Sequence, residues 1–282
     1  MTPQTLIEII EAAHLTSFVQ GPFEQRGGII LVGPPGMLKT NFIETAFQGH
    51  PAVLTLSDLN INSLMALRES LISGRYTTIA FPEFEKLYQR KSDTASNVEG
   101  TIQQLVENGF TRASFEEQDA ITFKARALVV GAITHNFYSK KIGQWRESGF
   151  KRRFLWVAIT LSDPNEIMHA IRRGELLNLD GIMRKFPIRP IPFAIEETES
   201  KKLEKMLMGQ WQATPYVLMK KIFCVLKWKY AKEPQHAMKL MEEFSESLNN
   251  QYARVILKSH REPVTTVTAQ LKKSLKSNHK KP

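Results

Sequence analysis

Residues 29–40 read IILVGPPGMLKT, and this stretch decides which fold the sequence predicts. Ile29 to Val32 form a continuous apolar run, which is typical of a buried parallel strand. A Gly/Pro loop follows the run, and the residues from Lys39 onward can begin a helix. A loop between a strand and a helix presents backbone N–H groups and the positive end of the helix to a polyphosphate. The stretch therefore predicts a phosphate-binding loop.

The nucleotide-binding residues predicted in this loop are Gly33, Pro34, Pro35, Gly36, Met37, Leu38, Lys39 and Thr40. Lys39 would reach the β- and γ-phosphates of a nucleotide, and the Thr40 hydroxyl would bind Mg²⁺. The pattern GxxxxGK[ST] is incomplete, because Leu38 stands where the second glycine belongs. We expect Leu38 to have an ordinary negative φ, with its side chain directed away from the phosphates. The alternative is a chance Gly-Pro-Pro-Gly turn followed by a lysine.

The rest of the chain alternates between strand and helix patterns. Strand patterns occupy residues 51–56, 76–81, 127–133 and 154–159, and helix patterns occupy about 2–13, 60–73 and 95–107. Residues 110–116 and 120–125 have the alternation of a β-hairpin. Such an order predicts an α/β fold, with a parallel sheet flanked by helices and joined by right-handed crossovers. The helix at 2–13 is predicted to be amphipathic, with Leu6, Ile9 and Ile10 on its apolar side.

The sequence changes character after residue 161. Helical patterns run at about 196–209, 215–232 and 235–258, which predicts a mainly helical C-terminal lid or bundle. We therefore expect an α/β core at 1–161, helices at 162–264 and a basic flexible tail at 265–282. Within 216–230, lysines interleave with Trp228 and Tyr230. This pattern suits single-stranded nucleic acid, but a packed amphipathic helix with lysine stems along it is the favoured interpretation.

Composition narrows the function classes. The chain of 282 residues has a net charge of +10 and one cysteine, Cys224, which excludes an internal disulfide. From Glu196 onward there are 17 Lys/Arg against 9 Asp/Glu, so the charge is concentrated in that part. Such a concentration indicates a nucleic-acid partner, although a solvated basic segment is an equal alternative. The longest apolar run is too short to span a bilayer, so we expect a soluble, cytoplasmic protein without a membrane partner.

In this order the segments resemble the AAA+ family of P-loop ATPases, over roughly residues 20–165. Residues 77–87, TTIAFPEFEKL, resemble the Walker B strand, which in that family ends in Asp-Glu. Glu83 then matches the carboxylate that polarises the attacking water. Pro82 stands at the position of the aspartate, which removes a carboxylate from the surroundings of Mg²⁺. The resemblance implies that the protein binds ATP and Mg²⁺ and hydrolyses ATP.

Two further motifs of the family have counterparts here. Residues 131–136 resemble sensor 1, where Asn136 is the first candidate for the polar residue and Thr134 the second. Residues 148–154 resemble the segment that carries the arginine finger, with Arg153 as the first candidate and Arg152 close behind. Such an arginine acts on the nucleotide of a neighbouring subunit. The resemblance therefore implies a ring oligomer, a hexamer. The structural alternatives are a turn residue for Asn136 and ordinary surface cations for the two arginines.

One subgroup, the minichromosome maintenance (MCM) helicases, is similar in more detail. Its loop carries alanine before the lysine, its Walker B segment continues Asp-Glu-Phe-Asp-Lys, and a β-hairpin precedes its sensor 1 strand. By this resemblance Arg112 and Lys124 of the predicted hairpin could touch DNA, and Arg172-Arg173 could supply a sensor 2 arginine. A surface hairpin and a solvated helical face are the alternatives. The length favours a compact phage or mobile-element ATPase.

Three functions follow as hypotheses. The first is an oligomeric ATPase that acts on nucleic acid, such as a small helicase, a helicase loader or a remodeller. The second is an ATP-binding structural or regulatory protein with weak hydrolysis, since Leu38 and Pro82 depart from the family pattern. The third is a protein-remodelling motor, for which we find no aromatic-hydrophobic-Gly pore loop between the second and third strand patterns.

Overall fold

The structure is a computed structural model, and it describes residues 1–57, 63, 66–89, 92–109, 125–159, 186–207 and 212–249. Met1–Asn249 form one compact unit. Several predictions lie outside the described residues: Arg112 and Lys124 of the hairpin, Arg172-Arg173, the boundary at 161 and the tail at 265–282.

A parallel sheet of five strands forms the centre of the fold. The strands of the protein are β1 (Val19–Gln20), β2 (Gly28–Gly33), β3 (Val53–Thr55), β4 (Thr78–Phe81), β5 (Leu128–Thr134), β6 (Phe154–Ala158) and β7 (Ile191–Pro192). The central sheet has the order β3-β4-β5-β2-β6, and β1 and β7 form a separate parallel pair. All neighbours in the central sheet are parallel. The predicted α/β class with a parallel sheet flanked by helices is confirmed.

The helices cover both faces of the sheet. They are α1 (Pro3–Leu15), α2 (Lys39–Phe47), α3 (Arg68–Ile72), α4 (Ser92–Val106), α5 (His135–Glu147), α6 (Glu197–Met206), α7 (Ala213–Lys229) and α8 (Pro234–Asn249). Short 3₁₀ segments occur at Thr16–Phe18, Phe84–Tyr88 and Lys151–Arg153. None of the helices in the described ranges has both the length and the apolar content that a membrane crossing requires.

The two faces of the sheet differ in what packs on them. Alternate residues of β6 show this: Leu155 and Val157 join the aliphatic core beneath α1, α2, α7 and α8. Phe154 and Trp156 point to the other face, where Trp156 stacks near Trp145 of α5, with ring centroids 5.2 Å apart. Both faces are therefore buried, which explains why the strands are apolar throughout instead of alternating.

Helix α1 is buried on both sides, although its pattern predicts only one apolar side, with Leu6, Ile9 and Ile10. Every residue from Thr5 to Leu15 is buried, including Glu8 and Glu11. The helix lies between α2 and the C-terminal helices α7 and α8, so both of its sides are covered. The carboxylates are buried because each has a partner. Glu11 accepts a 2.6 Å hydrogen bond from Lys229, and Glu8 accepts one from the Tyr230 hydroxyl.

The lysines of α7 are mostly structural, as the packed-helix interpretation predicts. Lys221 is 1% exposed and Lys229 2% exposed. Lys227 pairs with Glu199 of α6 at 2.9 Å, and Lys220 lies 4.1 Å from the centre of the Tyr216 ring. Lys227 thus joins α7 to α6, and Lys229 joins α7 to α1, so the lysines of α7 do not form an exposed basic stripe.

Candidate nucleotide-binding site

The strand order creates a crevice at the carboxyl edge of the sheet. The chain leaves β2 toward β3 on one side, and it leaves β5 across β2 toward β6 on the other side. Right-handed crossovers in opposite directions put α2 and α5 on opposite faces, so the two connections diverge between β2 and β5. In open α/β sheets, ligands bind at such a point. Gly33 and Thr134, the last residues of these strands, are paired neighbours there.

The loop after β2 contains a left-handed residue at the position where the complete motif has its second glycine. Leu38 has φ 53° and ψ 21°, and it is the one non-glycine with positive φ among the described residues. Our expectation of a negative φ is therefore wrong. A left-handed conformation costs a non-glycine residue about 1–2 kcal/mol, and it persists only where the surroundings enforce it. The side chain packs against the aliphatic core, and the carbonyl accepts the first bond of α2, from Phe42 N at 2.9 Å.

Lys39 lies over the loop that precedes it. Its Nζ donates to the carbonyl oxygens of Gly33 at 3.1 Å and Pro34 at 2.6 Å. Burial lowers the pKa of Lys39, and the negative charge of Glu85 opposes that effect. The ammonium group is thus held at the mouth of the crevice by two carbonyls, which a phosphate oxygen could replace as acceptors.

Thr40 connects the start of α2 to the end of β4. Its hydroxyl donates to the carbonyl oxygen of Pro82 at 3.3 Å. The N-terminal end of α2 has no side-chain cap, because Leu38 carries no acceptor. The first N–H groups of the helix are therefore available to an anion, as the sequence predicts for this loop. The exposed residues Pro34, Pro35 and Gly36 border the same opening, while Met37 is buried.

The segment after β4 depends on a close approach at Gly131. A Cβ atom there would lie 2.7 Å from the ring of Phe84, which is fully buried. The glycine lets the Phe84 ring rest on β5, and Phe84 and Leu87 together form the buried face of the 3₁₀ segment. Because side chains three apart share a face in such a helix, Glu85 is directed to another side.

Glu83 and Glu85 lie in different surroundings. The Glu83 side chain is 52% exposed and forms an ion pair with Lys86. Glu85 is partly buried and accepts a hydrogen bond from the backbone N–H of Thr134 at the end of β5. It is also the acid whose charge acts on Lys39. The sequence assigned the catalytic carboxylate to Glu83 and left Glu85 without a role, although the Asp-Glu-Phe-Asp-Lys resemblance contains an acid at that position.

The two sensor 1 candidates, Thr134 and Asn136, lie on either side of His135 at the start of α5. Thr134 caps the helix, since its hydroxyl accepts from Phe137 N at 3.3 Å. His135 lies close enough to Lys39 that burial and then that positive charge lower the pKa of His135. Asn136 is exposed in the first turn of α5. The structure thus brings Thr134 and His135 to the crevice beside Lys39, and no sequence motif had pointed to His135.

The arginine-finger candidates lie at the opposite edge of the sheet. Arg152 and Arg153 precede β6, whose first residue pairs with Gly28 at the start of β2. At about 3.3 Å per residue, they are roughly 17 Å from the loop of their own chain. Arg153 donates to Glu107 at 2.8 Å, and its side chain is 11% exposed. The Arg152 side chain is 54% exposed and only 3.9 Å from the same carboxylate.

The crevice brings together one lysine, one hydroxyl and the uncapped N–H groups of α2, with two carboxylates nearby, and groups of this kind are able to bind a polyphosphate. No cluster of three or more His, Cys, Asp or Glu side chains suited to a metal occurs in the ranges that the structure describes. A scan against protein-family models found no match to this chain. A search of curated proteins found no significant match either. The assignment of function therefore depends on the geometry of the crevice.

Proposed function

We propose that the protein is an oligomeric ATPase of the AAA+ kind that acts on nucleic acid. The observation that carries the proposal is Leu38 in the left-handed conformation between a buried strand and Lys39. A chance turn has no reason to keep a conformation that costs about 1–2 kcal/mol at a leucine. A phosphate-binding loop has one, because its backbone must turn its N–H groups toward the ligand.

Each residue of the crevice would have its own role in ATP binding or hydrolysis. Lys39 and the first N–H groups of α2 would hold the phosphates of ATP, and the Thr40 hydroxyl would bind Mg²⁺. In hydrolysis, the water oxygen bonds to the γ-phosphorus, the bond from phosphorus to the ADP oxygen breaks, and the water proton passes to a carboxylate. The resemblance assigns that carboxylate to Glu83. Glu85 is the second candidate, because its charge already acts on Lys39.

The oligomer follows from the distance between the arginines and the loop. Arg152 and Arg153 cannot reach the nucleotide of their own subunit across the length of the sheet. In a ring, this edge would face the crevice of the next subunit, where an arginine stabilises the charge of the transition state. The exposed Arg152 is free to extend, whereas Arg153 would first have to leave Glu107. The nucleic-acid partner is inferred from the net charge of +10.

Two ion pairs favour a second candidate function, ATP binding with slow hydrolysis in a regulatory or structural role. Glu83 is paired with Lys86, and Arg153 is paired with Glu107. If both pairs persist with ATP bound, neither residue is available for catalysis. Nucleotide would then hold an oligomer together without rapid turnover.

ATP turnover with and without single- and double-stranded DNA, measured beside the mass of the protein in ATP, tests the proposal. We expect ATP to bind, the mass to rise and DNA to stimulate turnover. Lys39→Ala should weaken ATP binding about 10- to 150-fold, the equivalent of about 1.5–3 kcal/mol for a lost charged hydrogen bond. Lys140→Ala, which removes an exposed lysine of α5, is the matched control and should leave binding unchanged.

Further variants separate the two candidate functions. Glu83→Gln and Glu85→Gln should leave ATP binding intact, and the one that abolishes turnover identifies the carboxylate. Tight binding with negligible turnover in the unmodified protein would favour the regulatory role. Absence of both binding and turnover over a range of Mg²⁺ and DNA concentrations would show that the proposal is wrong.

A further inference from the structure

A second polar cleft lies at the amino edge of the sheet, away from the phosphate loop. It has a volume of about 430 Å³ and is bordered by β1, α3, α7 and the residues that precede β2 and β5. Its charged lining residues are Glu24, Arg26, Arg126 and Lys221. Since β2 runs from this edge to the loop, the cleft is roughly 20 Å from Lys39. The two are separate sites.

Two of the three basic side chains of the cleft are held by neutral groups of the protein and are not neutralised by them. Lys221 is 1% exposed, and its Nζ donates to the carbonyl oxygens of Phe23 at 2.7 Å and Gln25 at 2.8 Å. Arg26 donates one long bond, of 3.4 Å, to the carbonyl oxygen of Thr16. These acceptors are neutral, so two of the three positive charges have no counter-ion in their hydrogen bonds.

The cleft has too few carboxylates to balance its three positive charges. Glu24 is the one carboxylate among the described residues that line the cleft. It pairs with Arg126 at 2.6 Å, and its side chain is 71% exposed. Burial, and then the charges of Arg26 and Arg126, lower the pKa of Lys221 to about 8, and the charge of Glu24 opposes them only in part. The cleft therefore keeps an excess of positive charge.

Unused donors point to the same conclusion. Nε of Arg26 and Nε of Arg126 are both buried, and neither has a hydrogen-bond partner within the described part of the chain. A buried guanidinium N–H without an acceptor is costly, because the group has left water and gained nothing in return. An oxyanion in the cleft would accept from several of these donors at once, and guanidinium groups match phosphate oxygens in bidentate geometry.

The rim of the cleft is apolar. Phe23 is 38% exposed and Ile72 55% exposed, and both belong to the small set of large apolar side chains that the described surface exposes. Apolar walls beside a few fixed polar groups are usual for sites that bind organic ligands, and the volume is within the usual range. We propose that this cleft binds the phosphate group of an organic phosphate, with Arg26, Arg126 and Lys221 on the phosphate and Phe23 and Ile72 against the organic part.

Isothermal titration calorimetry on the Lys39→Ala variant tests this site in a protein whose phosphate loop lacks its lysine. The probes are AMP, inorganic pyrophosphate, adenosine and a short oligothymidine. We expect AMP and pyrophosphate to bind and adenosine to fail. Arg126→Gln should weaken AMP binding at least tenfold, whereas Arg146→Gln, which removes an exposed arginine of α5, should not. Lys221→Met and its neighbour Lys220→Met form a second matched pair, and thermal unfolding reports whether each variant folds.

The outcomes separate the site from its alternatives. Binding of AMP that depends on Arg126 supports a free organic phosphate. Binding of oligothymidine alone, with the same dependence, supports the phosphate site and assigns its phosphate to a nucleic-acid backbone. Equal AMP affinity in Arg126→Gln and Arg146→Gln, or adenosine binding as tightly as AMP, would overturn the proposal. Because Lys39 is absent throughout, neither result depends on whether the protein hydrolyses ATP.

Discussion

Lowering the pH from 7 to 5 should destabilise the fold through one buried histidine. His14 of α1 is 1% exposed, and its Nδ1 lies 2.8 Å from the hydroxyl oxygen of Thr78 at the start of β4. Burial, and then the neighbouring His50, lower the pKa of His14 to about 3, and the charge of Glu11 opposes them only in part. The side chain is therefore neutral in the folded protein well below the pH at which a free histidine is protonated.

The size of the effect follows from the two pKa values. In the unfolded chain His14 has its ordinary pKa of 6.5, and in the folded chain about 3. Between these values the unfolded state binds a proton that the folded state does not, so the free energy of unfolding falls as the pH falls. At about 1.4 kcal/mol per pH unit, lowering the pH from 6.5 to 5 costs about 2 kcal/mol.

Urea unfolding at pH 5, 6 and 7 measures this loss. The informative variant is His14→Asn, whose amide can keep the bond to Thr78 but cannot be protonated. The unmodified protein should lose about 2 kcal/mol more than this variant between pH 7 and 5. The comparison with His14→Asn is needed because Glu8 gives stability a pH dependence of the opposite sign. Burial raises the pKa of Glu8, so its contribution to the free energy of unfolding is present at low pH and is lost as the pH rises through its folded pKa.

Phe47→Leu is the control, because the Phe47 ring contacts His14 with centroids 5.9 Å apart and carries no titratable group. It should lower stability by a similar amount at every pH. If His14→Asn loses as much stability between pH 7 and 5 as the unmodified protein, then His14 is not held neutral and the reasoning fails.

Two further variants test the packing that supports the site. Lys229→Met leaves the carboxylate of Glu11 buried without the partner at 2.6 Å, so the free energy of unfolding in urea should fall by about 3–5 kcal/mol. Adding Glu11→Leu to Lys229→Met should restore much of the lost stability. If Lys229→Met alone is as stable as the unmodified protein, the buried Glu11 does not depend on this ion pair. Gly131→Ala puts a Cβ 2.7 Å from the Phe84 ring and should cost about 1–3 kcal/mol. It should also slow ATP turnover by displacing Glu85, and unchanged stability and turnover would show that the ring can move aside.

The strands were predictable because their signal is local. Each central strand is a run of apolar residues, and the runs at 29–32, 127–133 and 154–159 match β2, β5 and β6 to within a residue or two. A strand buried on both faces requires such a run wherever it lies in the sheet. The order of the strands was not local information, since β2 pairs with β5 and β6, which follow it by about a hundred residues.

Helix α1 shows where a local pattern is misleading. Leu6, Ile9 and Ile10 predict one buried side, and that side is buried. The other side is buried as well, because Lys229 and Tyr230, more than two hundred residues away, supply partners for its carboxylates. A charged residue at a helical position predicts exposure only when no partner arrives from elsewhere.

A local pattern was enough to predict a phosphate loop, because the strand, the glycines, the lysine and the threonine follow one another along the chain. Three features could be found only in the folded protein: Leu38 adopts the glycine conformation, Glu85 and His135 lie near Lys39, and the two arginines lie at the far edge of the sheet. The local chain limits which conformations are available, but contacts between distant segments select among them, and they alone bring separate side chains to one site.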